Sequence, residues 1–396
     1  MSTIKVNTLR HTDATSGGIS LDSSNNATAS GNLTVTGSAT LNGVSYPSAG
    51  PLSNRNLIVN GGMAVAQRGT SGTGSGYYSI DRFRTSYSSV TVGQSQITLT
   101  SGDPYDEGFR YAFRATNSST SSSIYGFSQL SYYVEAQDLA QSGWNYTSSS
   151  SYITCSFWVR CSLAGTYYVQ YRGHDTSNFL QIVKSFTVSA DTWTKVTHTI
   201  PGDASMVINN DNGRGLELAF TTFYGSYYQD SNLSLDTWYS ASGGNNIVPG
   251  FDQDWNNTAS ATFDITGVQL EVGSVATPFE HRSFGDELTR CKRYYEKSYP
   301  QGTNPGSVYG VAGTAYVSRT NLYRTFEPFT VEKRATPTVV IYSPDTGTAD
   351  KIRNVSSDAD VSAVTDAHSP IGVRIGSNSG GDGDLLRWHW TATAEL

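Results

Sequence analysis

The sequence predicts an all-β chain in four parts: an extended N-terminal segment over residues 1–50, a jelly-roll β-sandwich over 51–284, a short linking helix over 285–299 and a small β head domain over 300–396. Three observations carry that expectation. Only 15% of the residues are charged, against about 25% in an ordinary soluble domain. Ser, Thr, Gly, Asn and Tyr fill the gap, with 25 Tyr against 3 Met, a mixture poor in helix formers and rich in strand and turn formers. At 396 residues the chain also exceeds what a single hydrophobic core usually serves, so more than one unit is expected.

Within residues 1–50 the clearest pattern places Leu33, Val35, Gly37, Ala39 and Leu41 on one face of an extended strand, with Thr34, Thr36, Ser38, Thr40 and Asn42 on the other. One strand cannot bury so narrow an apolar face, and even a lone hairpin is marginal. Copies from neighbouring chains around an axis would bury it, and Gly37 and Ala39 are small enough for three backbones to approach. A homotrimer is therefore expected. The alternative is a Ser/Gly/Asn-rich linker.

The central segment shows half-buried strands. Ile153, Cys155, Phe157 and Val159 alternate with Tyr152, Thr154, Ser156, Trp158 and Arg160. Further strands read at 166–171, 180–188, 193–200, 216–223 and 262–271, separated by turn-forming clusters such as Asn209-Asn210-Asp211-Asn212-Gly213. Strands at this spacing fit a sandwich of jelly-roll type. A helix follows. Ser283 is a good N-cap with Asp286 three residues on, and Leu288, Cys291 and Tyr295 form one apolar stripe on a helix ending near Lys297. Lys292, Arg293 and Lys297 suit its negative end, and Pro300, Gly302 and Pro305 stop it. Strands resume at 308–317, 336–342 and 385–393. In the last of these, Leu386, Trp388 and Trp390 share one face and Arg387 and His389 the other.

Composition also bounds the partners. A formal charge of −7 argues against nucleic acid, which favours a Lys/Arg-rich surface. No run approaches the roughly 18 apolar residues of a membrane span, and no apolar stretch follows Met1-Ser2-Thr3-Ile4-Lys5, so neither membrane insertion nor a signal peptide is expected. Cys155, Cys161 and Cys291 are an odd number without metal-ligand spacing. A chain folded in a reducing cytoplasm is the expectation.

Certain blocks resemble a known family. Thr266-Gly267-Val268-Gln269-Leu270-Glu271-Val272-Gly273-Ser274, then Ala276-Thr277-Pro278-Phe279-Glu280-His281-Arg282 and Leu288-Thr289-Arg290-Cys291-Lys292-Arg293-Tyr294-Tyr295, resemble a block of tail-fibre and related virion proteins of tailed bacteriophages, of the marine type. Asn56-Leu57-Ile58-Val59-Asn60-Gly61-Gly62-Met63, Gln67-Arg68-Gly69 and Asp81-Arg82-Phe83 are similar to the domain opening in those proteins. Glu332-Lys333-Arg334-Ala335-Thr336-Pro337 and the ending His389 to Leu396 resemble their C-terminal heads. The resemblance implies a jelly roll similar to carbohydrate-binding modules, in a homotrimeric virion fibre anchored at its N-terminal segment to a tail or capsid protein. It further implies adsorption to host surface polysaccharide or lipopolysaccharide after assembly in the host cytoplasm.

Candidate glycan contacts follow from chemistry. Sugars need flat aromatic faces with polar groups at the rim. Trp158 is one candidate, set against the reading that a loop or subunit covers it. The loop-rich stretch with Tyr227, Tyr228, Trp238, Tyr239, Asp252, Asp254 and Trp255 is the other, set against simple packing of long loops onto the sandwich. No catalytic residue is assigned and no cofactor is expected. Asp252 with Asp254 is a weak match to the paired carboxylates of a tailspike-like depolymerase, Asp103, Asp106 and Glu107 suit a structural calcium ion, and His174, Asp175 and His198 make no convincing triad. A purely architectural virion component is the third reading.

Overall fold

The computed structural model describes residues 54–175, 179–241, 247–316, 323–379 and 381–396, with five short strands before them. The chain is all-β. Strands β1 (Thr8–Leu9), β2 (Ile19–Leu21) and β3 (Ala27–Ala29) form an antiparallel meander, and β4 (Ala39–Leu41) pairs with β5 (Val44–Tyr46) of the same chain. The rest of the alternating run from Leu33 to Asn42, and with it the three-copy packing, lies outside the described residues.

The sandwich comprises β6 (Ser71–Thr73), β7 (Arg84–Ser88), β8 (Thr91–Thr98), β9 (Tyr111–Ser119), β10 (Phe127–Glu135), β11 (Tyr152–Cys161), β12 (Gly165–Gly173), β13 (Leu180–Val188), β14 (Thr194–Pro201), β15 (Arg214–Tyr224), β16 (Tyr239–Ser240) and β17 (Thr262–Val272), with single-turn helices α1 (Asp103–Asp106) and α2 (Ala136–Ala140). Two antiparallel sheets result, ordered β16-β13-β12-β15-β10-β7 and β14-β11-β17-β9-β8-β6. Alternation decides which side chains meet between them. Ile153, Cys155, Phe157 and Val159 from one sheet join Tyr167, Val169, Tyr171, Leu216, Leu218 and Phe220 from the other in one buried core. Cys155, Cys161 and Cys291 are free thiols, all buried.

The opening block closes the sandwich. Leu57 N–H donates to the Leu270 carbonyl at 2.9 Å, and the Asn56 Oδ1 accepts from Ile58 and Leu270 N–H groups at 3.0 Å each. At Gly61 a Cβ would stand 2.0 Å from the Val268 carbonyl oxygen, so the close approach admits only glycine. Asn60 N–H donates to Glu287 at 2.6 Å, tying the same opening to helix α3 (Phe284–Lys292).

Ser283 caps α3, accepting from Asp286 N–H at 3.2 Å, and Leu288 and Cys291 pack on Val59 and Val65. The helix ends at Lys292 rather than near Lys297. Tyr295 leaves the helical stripe because β18 (Tyr295–Lys297) pairs with residues 391–393, and that ladder supplies the backbone bonds that a longer helix would otherwise make. The Arg68 guanidinium lies 3.7 Å from the Tyr295 ring.

The head adds β19 (Gly313–Tyr316), β20 (Tyr323–Pro328), β21 (Thr338–Tyr342), β22 (Lys351–Asn354), β23 (Ala359–Ser369), β24 (Gly372–Ser377) and β25 (Leu385–Thr393). Leu386, Trp388 and Trp390 point into its core with Ile341, Ile352, Val373 and Ile375, while His389 stacks on Tyr299 at 3.9 Å. Buried charge joins head to sandwich. Glu395 bridges Arg82 (2.6 Å) and Arg68 (3.1 Å), Arg293 grips Glu135 through two nitrogens at 2.8 and 2.9 Å, and Tyr77 donates to the Leu396 carbonyl at 3.0 Å. Beside Glu395, burial pushes the Asp81 carboxyl up to about 6.

Candidate functional site

Register brings five outward-facing side chains into one row across five strands. Tyr133 on β10 stands opposite Glu217 on β15, Glu217 opposite Arg172 on β12, Arg172 opposite Gln181 on β13, and Gln181 opposite Tyr239 on β16. Their alternating neighbours Tyr132, Leu218, Tyr171, Ile182 and Leu180 face the core. The row therefore lies on the outer face of its sheet, yet Gln181 and Glu217 are buried. The cover is the long connection after β15, whose Tyr228, Leu233, Leu235, Ile247, Val248 and Phe251 pack on Tyr168, Val183 and Tyr224.

Between sheet and connection lies a cleft of about 410 Å³ lined by Phe127, Arg172, His174, Phe179, Gln181, Glu217, Tyr224, Tyr228, Ala241 and Ile247. Its polar floor is internally satisfied. Glu217 accepts from Ser131 at 2.8 Å and Gln129 at 3.2 Å, faces His174 Nε2 at 3.1 Å and pairs with Arg172 at 3.4 Å. Burial works to raise the Glu217 carboxyl, but Arg172 and the His174 and Ser131 hydrogen bonds outweigh it and hold the group at about 2. Arg172 also donates to Gln181 at 3.1 Å and to the Tyr224 hydroxyl at 3.2 Å. These side chains are fixed before any ligand arrives, the condition for selective polar recognition.

An aromatic run leads out of the cleft. Tyr228 lies 5.3 Å from Tyr224 and 5.2 Å from Tyr227, and Tyr227 lies 4.8 Å from Tyr125. Tyr227 and Tyr125 are 43% and 53% exposed, so their ring faces reach solvent beside the opening. Phe179, 49% exposed, stands edge-on to His174 on the other side.

The candidates named from sequence fall in different places. Tyr228 lines the cleft and Tyr227 continues its aromatic run. Tyr239 supports the cleft from behind, donating to the Ile247 carbonyl at 2.9 Å and accepting from Gln181, and burial pushes its hydroxyl up to about 12. Trp238 packs against the main core and donates to the Pro201 carbonyl at 2.8 Å. Asp252 accepts from the Thr166 N–H and hydroxyl at 2.7 and 3.0 Å, tying its loop to β12, and Asp254 accepts from the Asn257 N–H at 3.1 Å within a turn; neither lines the cleft. Trp255 is wholly buried in the main core, out of reach of a solvent-borne ligand. Trp158 does point away from Phe157 and Val159, but at 8% exposure it is covered by Leu99, Phe109 and Ala112 and donates to Glu107 at 3.0 Å. Glu107 is turned to Lys195 at 2.8 Å, and Asp103 and Asp106 sit in α1. Among the described residues no three His, Cys, Asp or Glu side chains converge as a metal site.

Sequence reasoning passed over Arg172, Gln181, Glu217, Phe127 and Phe179, and considered His174 only as a triad member; Tyr224 opens the loop-rich stretch it did single out. Polar residues at the outward positions Gln170 and Arg172, set among Tyr167, Tyr168, Val169 and Tyr171, were the available signal.

No family model matches the sequence, and no curated protein matches it. Among solved structures, the chain is similar to the enzymatically active domain of tailspike protein 4 of bacteriophage CBA120, at 11% identity and a TM-score of 0.31 over 58% of this chain and 24% of that one. It is similar to a family 11 carbohydrate-binding module of Clostridium thermocellum in complex with a β-1,3-1,4-mixed-linked tetrasaccharide, at 10% identity and a TM-score of 0.26 over 55% of this chain and 99% of that one. Discoidin II of Dictyostelium discoideum matches at 11% identity and a TM-score of 0.16 over 76% of this chain and 88% of that one. The aligned part thus spans about a quarter of the tailspike, and the functional reading stands on the cleft itself.

Proposed function

We propose that this chain is a fibre component of a bacteriophage virion that adsorbs to host cells by binding surface glycans in its jelly roll. The observation that carries the glycan reading is the cleft on the outer sheet face, where a fixed Arg172–Glu217–Gln181 floor meets the rings of Tyr228, Phe127 and Phe179. Sugars present apolar C–H faces and a girdle of hydroxyls, and this lining offers a partner to each. The fibre and virion parts draw on the sequence resemblance of the blocks around 56–83 and 266–295. A homotrimer, the expectation from the alternation over 33–41, would present three equivalent clefts and turn weak single contacts into firm attachment.

We read the site as binding without cleavage. Glycoside hydrolysis by the usual route takes two carboxyl groups, one of them protonated near neutral pH. Glu217 is the single carboxyl among the described cleft-lining residues, and it is held ionised. The test is affinity electrophoresis or calorimetry against host capsule and lipopolysaccharide preparations, with Tyr228→Ala expected to weaken binding at least tenfold. Binding unaffected by Tyr228→Ala and by His174→Ala removes the cleft as the site, and shortening of the polysaccharide on incubation favours the depolymerase reading. Light scattering checks the trimer: a stable monomer at micromolar concentration ends that part.

A further inference from the structure

The outward row continues past Tyr133 to two cations that form no ion pair among the described residues. Arg214 on β15 lies over the Tyr133 ring at 4.2 Å, and Arg84 on β7 lies 6.0 Å from the same ring. Neither guanidinium forms an ion pair among the described residues, and the Arg84 Nε is buried without a hydrogen-bond partner. The acidic side chains nearby are already engaged: Glu217 with Arg172 and His174, Glu135 with Arg293, and Glu395 with Arg68 and Arg82. Tyr77 and Leu396 complete the surroundings, Tyr77 5.7 Å from Arg84 and Leu396 packed on Tyr133. The Tyr133 ring lies 5.5 Å from the cleft-lining His174, so the cations belong to the same face as the cleft.

Along β15 the order is Tyr224, Glu217, Arg214: aromatic end, polar middle, cationic end, over roughly 30 Å at a strand's rise per residue. A half-buried arginine without a counter-charge costs stability unless a ligand brings the charge. Guanidinium is also the side-chain group whose planar fork matches carboxylate, sulfate or phosphate. We infer that the ligand of this face is an anionic polysaccharide, its rings lying toward Tyr228 and Phe127 and its acidic substituents received by Arg84 and Arg214. The inference rests on the glycan-binding reading and adds the charge of the glycan to it.

Dextran and dextran sulfate of equal length separate the two, as do methyl-esterified and free polygalacturonate, each titrated into the full chain by calorimetry. The acidic member of each pair is expected to bind at least tenfold tighter, with an affinity that falls as salt is raised. In Arg84→Gln/Arg214→Gln that advantage disappears while any binding of the neutral member persists; Arg374→Gln, an exposed head arginine, leaves both unchanged. Equal affinity of the native chain for neutral and acidic members, or an acidic preference that survives the double substitution, overturns the inference alone. Binding of none of the four polymers overturns it together with the glycan reading.

Discussion

Removing Arg172 tests whether the cleft floor is the coupled unit its geometry describes. In Arg172→Met the Glu217 carboxylate keeps His174, Ser131 and Gln129 but loses the cation that most strongly opposes its burial. A carboxyl held at about 2 against an ordinary 4.5 contributes roughly 3 kcal/mol at neutral pH, at about 1.4 kcal/mol per tenfold. Because the folded value is depressed, that stability is fully present above pH 4.5 and is lost as pH falls toward 2. Breaking a buried pair from one side carries a similar cost, about 3–5 kcal/mol. The expected result at pH 7 is therefore a loss of about 3 kcal/mol in urea unfolding followed by tryptophan fluorescence. The acid-induced decline between pH 4.5 and 2 should shrink in parallel. Arg172→Met/Glu217→Met removes both charges and should recover most of the loss. A single substitution costing under about 1 kcal/mol, or a double no better than the single, would refute the argument.

His198 gives a second pH signature: burial holds its imidazole down at about 4, so its contribution is lost as pH falls from about 6.5 to 4. The stability gap between native chain and His198→Gln should narrow by about 2 kcal/mol between pH 7 and 5, and a gap constant with pH would contradict it. Gly61→Ala forces a methyl onto the Val268 carbonyl and should cost about 1–3 kcal/mol, read as a lowered Tm; an unchanged Tm would mean that the opening turn yields. Ser283→Ala removes the cap of α3 and should cost about 1 kcal/mol, with Ser283→Asp restoring it; equal stability of all three chains would remove the cap's role.

What the sequence made legible is what local pattern determines. The strands at 180–188 and 385–393 appear with those bounds because alternation extends to their ends. Ser283 was readable as a cap because capping involves residues three apart. The end of α3 was not, since Tyr295 is claimed by a strand nearly a hundred positions away. Alternation showed which side of its strand Trp158 occupies but not that Phe109 would cover it. The cleft row was the least legible part. Tyr133, Glu217 and the Arg172–Gln181 pair are distant from one another in sequence and become neighbours only through strand register. Trp255 looked like a loop aromatic, yet its loop turns inward, held where the Asn117 amide donates to the Trp255, Asn256 and Thr258 carbonyls.

The seam between the sandwich's opening and its exit has a mechanical consequence. The chain enters at Asn56 and leaves through α3, and those two points are stitched together by the Leu57–Leu270 and Asn60–Glu287 hydrogen bonds. Tension between whatever precedes residue 54 and the head passes across that seam and the pairs Glu395–Arg82, Glu395–Arg68 and Arg293–Glu135. Strands β12, β13 and β16, which hold Arg172, Gln181 and Tyr239, take no part in those contacts, so the cleft floor keeps its shape while the chain on either side is pulled.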